Sequence, residues 1–206
     1  SIEVAYFFCN FAVSSFFIRL LRMIEGTTNV ILLCLMNDIL AQNPFLEKYS
    51  APHGTTPFDK IKTGDYEPAI REGIRLQNAE IDAIIDNPEA PTFDNTVLAY
   101  EKSGELLQRV NTVFGNLLSA ETNDDLQELA KEIMPLMSEH ENNISLNEKL
   151  FARIKTVYEQ QDKEEMNAEQ AKLLEEIYNG FVRNGANLEG EAKEKYRALC
   201  KELSLL

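Results

Sequence analysis

The chain has 206 residues, 44% hydrophobic and 26% charged, enough to bury a real core as one domain or somewhat more. Its formal net charge of -14 argues against nucleic acid as a partner, since binding a phosphate backbone needs clustered Lys and Arg. Few Gly (9) and Pro (7) amid abundant Leu, Ile, Ala, Glu and Lys favour helices, so the expected fold class is all-α.

Residues 1–35 differ from everything after them. Val4–Ile18 is apolar but broken by Asn10, Ser14 and Ser15, then meets Arg19 and Arg22, and the second run, Val30–Met36, is shorter still. A membrane-spanning helix needs roughly 20 apolar residues, and Ser1-Ile2-Glu3 offers no basic start for a secretory signal. Three readings fit: an upstream extension preceding a natural start at Met36, a degraded signal or anchor, or a genuine apolar helix. A membrane tether through residues 4–24 is the weakest reading. Cys9, Cys34 and Cys200 form no C-x-x-C pair, so neither a disulfide framework nor a cysteine zinc site is indicated, and a reducing, cytoplasmic setting is expected.

Residues 36–64 read as an irregular arm punctuated by Asn43-Pro44, Ala51-Pro52, His53-Gly54 and Thr56-Pro57, with Phe45, Tyr49, Phe58 and Ile61 expected to pin it to the body. Residues 65–206 read as helices. Asp65 is the expected cap of the first, with Pro68 in its first turn, Ile70, Ile74, Ile81, Ile84 and Ile85 on one face, and Asn87-Pro88 as its stop. Thr92 is expected to cap a second helix with the stripe Leu98, Leu107, Val110, Phe114, Leu117 and Leu118. Asn123 caps a third bearing Leu126, Leu129, Ile133 and Met137, in which Pro135 is expected to kink the helix or end its regular part.

A fourth helix follows Ser145 with Leu146, Leu150, Ile154, Val157 and Tyr158. Asn167 and Gln170 form a capping-box pair for a fifth, with Leu173, Leu174, Ile177, Tyr178 and Phe181 inward and Gly185 as a left-handed stop. The last begins near Glu191, carries Tyr196, Leu199, Leu203 and Leu206, and has no closing Gly, Asn or Pro, so the chain is expected to be truncated there.

Chemistry is sparse. There are two histidines. His140-Glu141-Asn142-Asn143-Ile144 approaches the H-E-x-x-H zinc motif, but Ile144 stands where the second ligand belongs, and one imidazole cannot hold a catalytic zinc that needs three protein ligands. His140 is therefore expected at the surface or a helix end. His53 has no nucleophile or orienting partner nominated by any pattern. The acidic pairs Asp124-Asp125, Glu164-Glu165 and Glu175-Glu176 sit beside helical stripes, as solvated charges do. Tyr158, Tyr178, Phe181 and Tyr196 have core spacing. No catalytic or metal residue is assigned to this chain, and substrate-binding residues are unknown.

Several strings, taken together and in order, carry more. They are Asn43-Pro44-Phe45-Leu46, Thr56-Pro57-Phe58-Asp59-Lys60-Ile61, Tyr66-Glu67-Pro68-Ala69 and Asn87-Pro88-Glu89-Ala90-Pro91-Thr92-Phe93-Asp94-Asn95-Thr96. The series continues with Leu117–Asn123, Ile144–Phe151, Arg183–Leu188 and Lys201-Glu202-Leu203-Ser204. Across residues 43–206 the series resembles the opening of bacterial peptidyl-dipeptidases (dipeptidyl carboxypeptidases) of the thimet-oligopeptidase-like zinc metallopeptidase family. The resemblance implies the multi-helix N-terminal portion of a two-lobed, channel-containing enzyme. That enzyme releases C-terminal dipeptides from short unstructured peptides.

The resemblance also implies a zinc ion held by an H-E-x-x-H helix and a downstream Glu, with the motif's Glu as general base. None of those residues maps onto this chain. Zinc would belong to the full-length parent, the partner would be the missing C-terminal catalytic lobe, and the chain alone is expected to be inactive. The competing reading is a free-standing, non-catalytic helical binding module derived from the same family.

Overall fold

The computed structural model describes residues 42–47, 49, 55–160 and 166–203. The apolar stretch 1–35, Met36, Cys9, Cys34, His53, Glu164-Glu165 and Leu206 lie outside the described residues. The chain divides into two compact units, residues 1–47 and 48–206, each taken by itself. In the first, Asn43 and Phe45 are buried, and the Asn43 Oδ1 accepts the Phe45 N–H at 3.0 Å, closing a local turn around Pro44.

The second unit is helical throughout its described elements: α1 (Tyr66–Ile85), α2 (Glu105–Ala120), α3 (Asp124–Ser145), α4 (Glu148–Glu159), α5 (Ala168–Arg183) and α6 (Gly190–Leu203). A π-helical turn, Phe93–Leu98, runs into a short α-turn, Ala99–Glu101. Among the described residues no helix is long and apolar enough to cross a membrane. Helix α1 is the hub and packs on α2, α3 and α4. The π-helical turn packs on α4 and α5, and α6 lies against α3.

The caps follow sequence chemistry at most ends. Thr92 accepts the Asn95 N–H while the Asn95 side chain accepts the Thr92 N–H, a reciprocal box. Asn123 caps α3 through the Leu126 N–H at 2.9 Å. Asn167 and Gln170 exchange bonds of 2.9 and 3.0 Å at the start of α5. That helix ends as expected at Gly185, φ 83°, where the Ala186 N–H bonds back to the Phe181 carbonyl at 3.0 Å.

Three expectations change. Asp65 makes no side-chain cap for α1. It closes a 3-10 turn, Thr63–Asp65, by accepting the Lys62 N–H at 2.7 Å. The second helix is not continuous, because Lys102–Gly104 interrupt it and Gly104 adopts φ 74°, a left-handed conformation that lets the chain turn into α2. Leu146 is not on the fourth helix but buried in the connection before Asn147, whose side chain caps α4. Pro135 lies inside α3, and helix is assigned on both sides of it.

The core forms in neighbouring clusters. Ile81 and Ile84 of α1 meet Ile144 of α3, Leu150, Phe151 and Ile154 of α4, and Phe181 of α5. Beside them Phe93, Val97, Val157 and Leu174 seat the π-helical turn. Aromatic rings run along this junction. Tyr158 stacks on Tyr178 with centroids 4.0 Å apart and planes within 6°, and Tyr100 meets Phe181 edge-on at 5.4 Å. Such pairs each add about 0.5–1.5 kcal/mol beyond area burial. Arg153 ties the loop after α1 to this core, donating to the carbonyls of Asn87 at 2.9 Å and Glu89 at 3.2 Å.

Of the four residues expected to pin the arm, Tyr49 lies under the Arg109 guanidinium, 4.9 Å from its ring centroid, and Ile61 is half-buried. Phe58 is 58% exposed and pins nothing: the turn Pro57–Lys60 lifts it into solvent. Phe45 is buried and belongs to the first unit.

Where α1 crosses α2, a Cβ added at Gly73 would lie 2.9 Å from the Leu107 Cα, so only hydrogen fits between the backbones. Gly115, exposed in mid-helix, faces open space. Gly73→Ala should therefore cost about 1–3 kcal/mol by overpacking, while Gly115→Ala should stabilise by up to about 1 kcal/mol through helix propensity. Urea unfolding of the two variants side by side checks both signs.

Candidate functional site

A polar cleft of about 340 Å³ opens between α1, the Tyr100–Gly104 turn, α2 and α3. Its wall is set by Gln77 of α1, Ser103, and His140 of α3. The stripe of α1 runs Ile70, Gly73, Gln77, Ile81 and Ile84, and that of α3 runs Ile133, Met137, His140 and Ile144. Each places one polar side chain where an apolar one would ordinarily stand, and the two meet.

The hydrogen bonds run in one direction. Ser103 Oγ donates to the Tyr100 carbonyl at 2.7 Å, so it accepts from Gln77 Nε2 at 3.3 Å. This turns the Gln77 Oε1 toward His140, whose Nε2 lies 2.8 Å away and must carry the hydrogen. Glu80, one turn along α1, accepts the Gly104 N–H at 2.8 Å. Two side chains of α1 thus hold the chain break before α2, and a third element is joined to it through His140.

His140 is 4% exposed, which corrects the expectation of a surface or helix-end residue: its position on the inner stripe of α3 carries it inward. Burial disfavours its charged form and pulls its pKa below the usual histidine value of 6.5. Glu141, the next residue, is exposed, as helical periodicity requires.

This group is not a nucleophile–base arrangement. Gln77 stands between His140 and Ser103, and the serine hydroxyl is committed to a backbone carbonyl. Nor does it fit zinc: Ile144 is packed in the core, His140 faces an amide, and among the described residues no three His, Cys, Asp or Glu lie close enough to share a metal. Asp124 and Asp125 are exposed in the first turn of α3, and Glu175 and Glu176 flank Lys172 at 3.1 and 3.7 Å, all solvated charges.

The sequence reading missed Gln77, Ser103 and Glu80. A signal existed for Gln77 and His140: both interrupt an otherwise apolar stripe at helical spacing. None existed for Ser103 or Glu80, whose roles follow from the left-handed turn at Gly104.

A second cleft, of about 590 Å³, opens between the ends of α1 and α3, the start of α4, and α6. Within it the buried Lys193 donates to Glu148 at 2.7 Å, which holds the Glu148 carboxyl below its ordinary pKa, and Arg197 donates to Asn143 at 3.2 Å. These bonds attach α6 to α3 and α4.

The depressed pKa of His140 has a thermodynamic consequence. The unfolded chain takes up a proton near pH 6.5 while the folded chain resists it, so stability should fall as pH drops below 6.5 and level off once folded His140 titrates. Urea unfolding between pH 7.5 and 5.5 should show this slope. It should flatten in His140→Gln, which removes the titrating group.

No protein-family model matches the chain. It is 41% identical over 164 residues to the dipeptidyl carboxypeptidase of Escherichia coli (strain K12), a match covering 80% of this chain and 24% of that protein. Oligopeptidase A of Salmonella typhimurium is 22% identical over the same shares, and a thimet-like oligopeptidase of Dictyostelium discoideum is 23% identical over 68% of this chain and 21% of its own length. The chain therefore spans about a quarter of the length of the curated relatives it matches. By this similarity, and with an all-helical body to match, the chain belongs to the family of the dipeptidyl carboxypeptidases and their oligopeptidase relatives.

Proposed function

We propose that this chain forms a helical wall of the substrate channel in a zinc-dependent peptidyl-dipeptidase, one that releases dipeptides from the C-terminal end of short unstructured peptides. The observation that carries the reading is the 41% identity to a dipeptidyl carboxypeptidase across 80% of the chain, against 22% to oligopeptidase A. Zinc and the groups that activate water belong, in this reading, to residues outside these 206. The described residues contribute no step of the hydrolysis. Their part is mechanical: a rigid scaffold, clamped at Gln77, His140 and Ser103, that excludes folded proteins from the channel.

The same similarity favours a peptidase over a free-standing binding module. A cytoplasmic setting suits Cys200, which is a free thiol in α6.

A chimera tests the proposal. Residues 43–206 replace the matching stretch of the Escherichia coli dipeptidyl carboxypeptidase, and cleavage of an N-terminally blocked tripeptide is followed. The proposal expects dipeptide release at a rate within about tenfold of the parent, a difference of roughly 1.4 kcal/mol in barrier. A chimera that folds but releases no dipeptide overturns it.

A further inference from the structure

The sequence holds two Asn-Gly pairs, Asn179-Gly180 and Asn184-Gly185, and the fold treats them differently. An Asn-Gly bond is where a polypeptide most readily modifies itself, because glycine has no Cβ to keep its backbone nitrogen away from the preceding side-chain amide. Asn179 and Gly180 lie half-buried inside α5, with helix on both sides of them. Freeing the Gly180 nitrogen there means unwinding the helix.

Asn184 stands just past that helix. It is exposed at the C-cap with φ -83° and ψ 15°, and Gly185 follows at φ 83°. The Gly185 N–H is held by the Val182 carbonyl at 3.2 Å, at a helix end, where local opening is least costly. Asn187 is exposed in the same turn, but Leu188 follows it and puts a bulky side chain in the way of the same attack.

We infer that Asn184 is a site of spontaneous deamidation, and that the reaction loosens the junction between α5 and α6. On opening of the turn, the Gly185 nitrogen loses its proton and attacks the Asn184 Cγ. The bond from Cγ to the side-chain nitrogen breaks, ammonia leaves, and a five-membered succinimide closes. Water then opens the ring at one carbonyl or the other, leaving an aspartate or an isoaspartate. Either product sets a negative charge at the C-terminal end of α5, where the helix dipole opposes it. The isoaspartate also adds a methylene to the main chain just before Gly185. That displaces the Ala186 N–H from the Phe181 carbonyl, 3.0 Å away, the bond that closes α5.

The test ages the 206-residue chain in mildly alkaline buffer, folded and, in parallel, unfolded in urea, and maps digests over time for amide turned to acid at each position. In the folded chain Asn184 should convert at least about tenfold faster than Asn179 or Asn187, whereas in urea Asn184 and Asn179 should convert at similar rates. Asn184→Gln, whose longer side chain cannot close the five-membered ring, should abolish the reaction. The aged chain should melt below the fresh one, and the aged Asn184→Gln chain should melt as its fresh form does. Folding that protects Asn184 as strongly as Asn179 overturns the site, and conversion at Asn187 matching that at Asn184 overturns the part given to Gly185. An aged chain rich in isoaspartate at position 184 that melts like the fresh one overturns the loosening of the junction.

Discussion

The contact between Gln77 and His140 constrains the rest of the helical body. His140 is buried and Gln77 half-buried on the inward stripes of amphipathic helices, and a buried polar group left without a partner costs about 1–3 kcal/mol. Pairing them fixes the rotation of α1 against α3. The same Gln77 fixes Ser103, Glu80 fixes Gly104, and α2 starts where those two residues leave it. Gly73 then sets how closely α2 approaches. One polar bridge and one missing side chain therefore determine where three helices lie, and the isoleucines of α1 fill the space that remains.

In this arrangement the histidine of an almost-complete zinc motif faces a side-chain amide. The two residues that the motif would aim at a metal, at positions 140 and 144, both point inward from α3. There they meet an amide and an apolar cluster. The helix geometry that brings zinc ligands together in H-E-x-x-H is present, but here it serves packing. The resulting unit is a helical body whose inward polar side chains are bound to one another.

Much of this was legible in the sequence. The apolar stripes of α1, α3, α4 and α5, the caps at Thr92, Asn123 and Asn167 and the stop at Gly185 follow from local rules, because each depends on residues within one turn of each other. What local rules cannot supply is long-range pairing. Asp65 looked like a cap, but the Lys62 N–H competed for its carboxylate. The break at Gly104 leaves a trace, since Leu98 and Leu107, nine residues apart, would fall on opposite faces of a continuous helix. The bridge itself spans 63 residues of sequence, so neither member points to the other until the two stripes are laid face to face. Phe58 shows the reverse case, an aromatic residue whose burial was inferred from type alone and which a tight turn leaves in water.

A double-mutant cycle on Gln77→Leu and His140→Leu tests the central role of this bridge most directly. Gln77→Leu strands the buried His140 and should destabilise by about 1–3 kcal/mol, His140→Leu strands the half-buried Gln77 and should cost less, and the double should cost less than the sum of the two, since it strands neither. Additive losses, or singles that leave stability unchanged, would contradict the account and return His140 to the list of residues in need of another role.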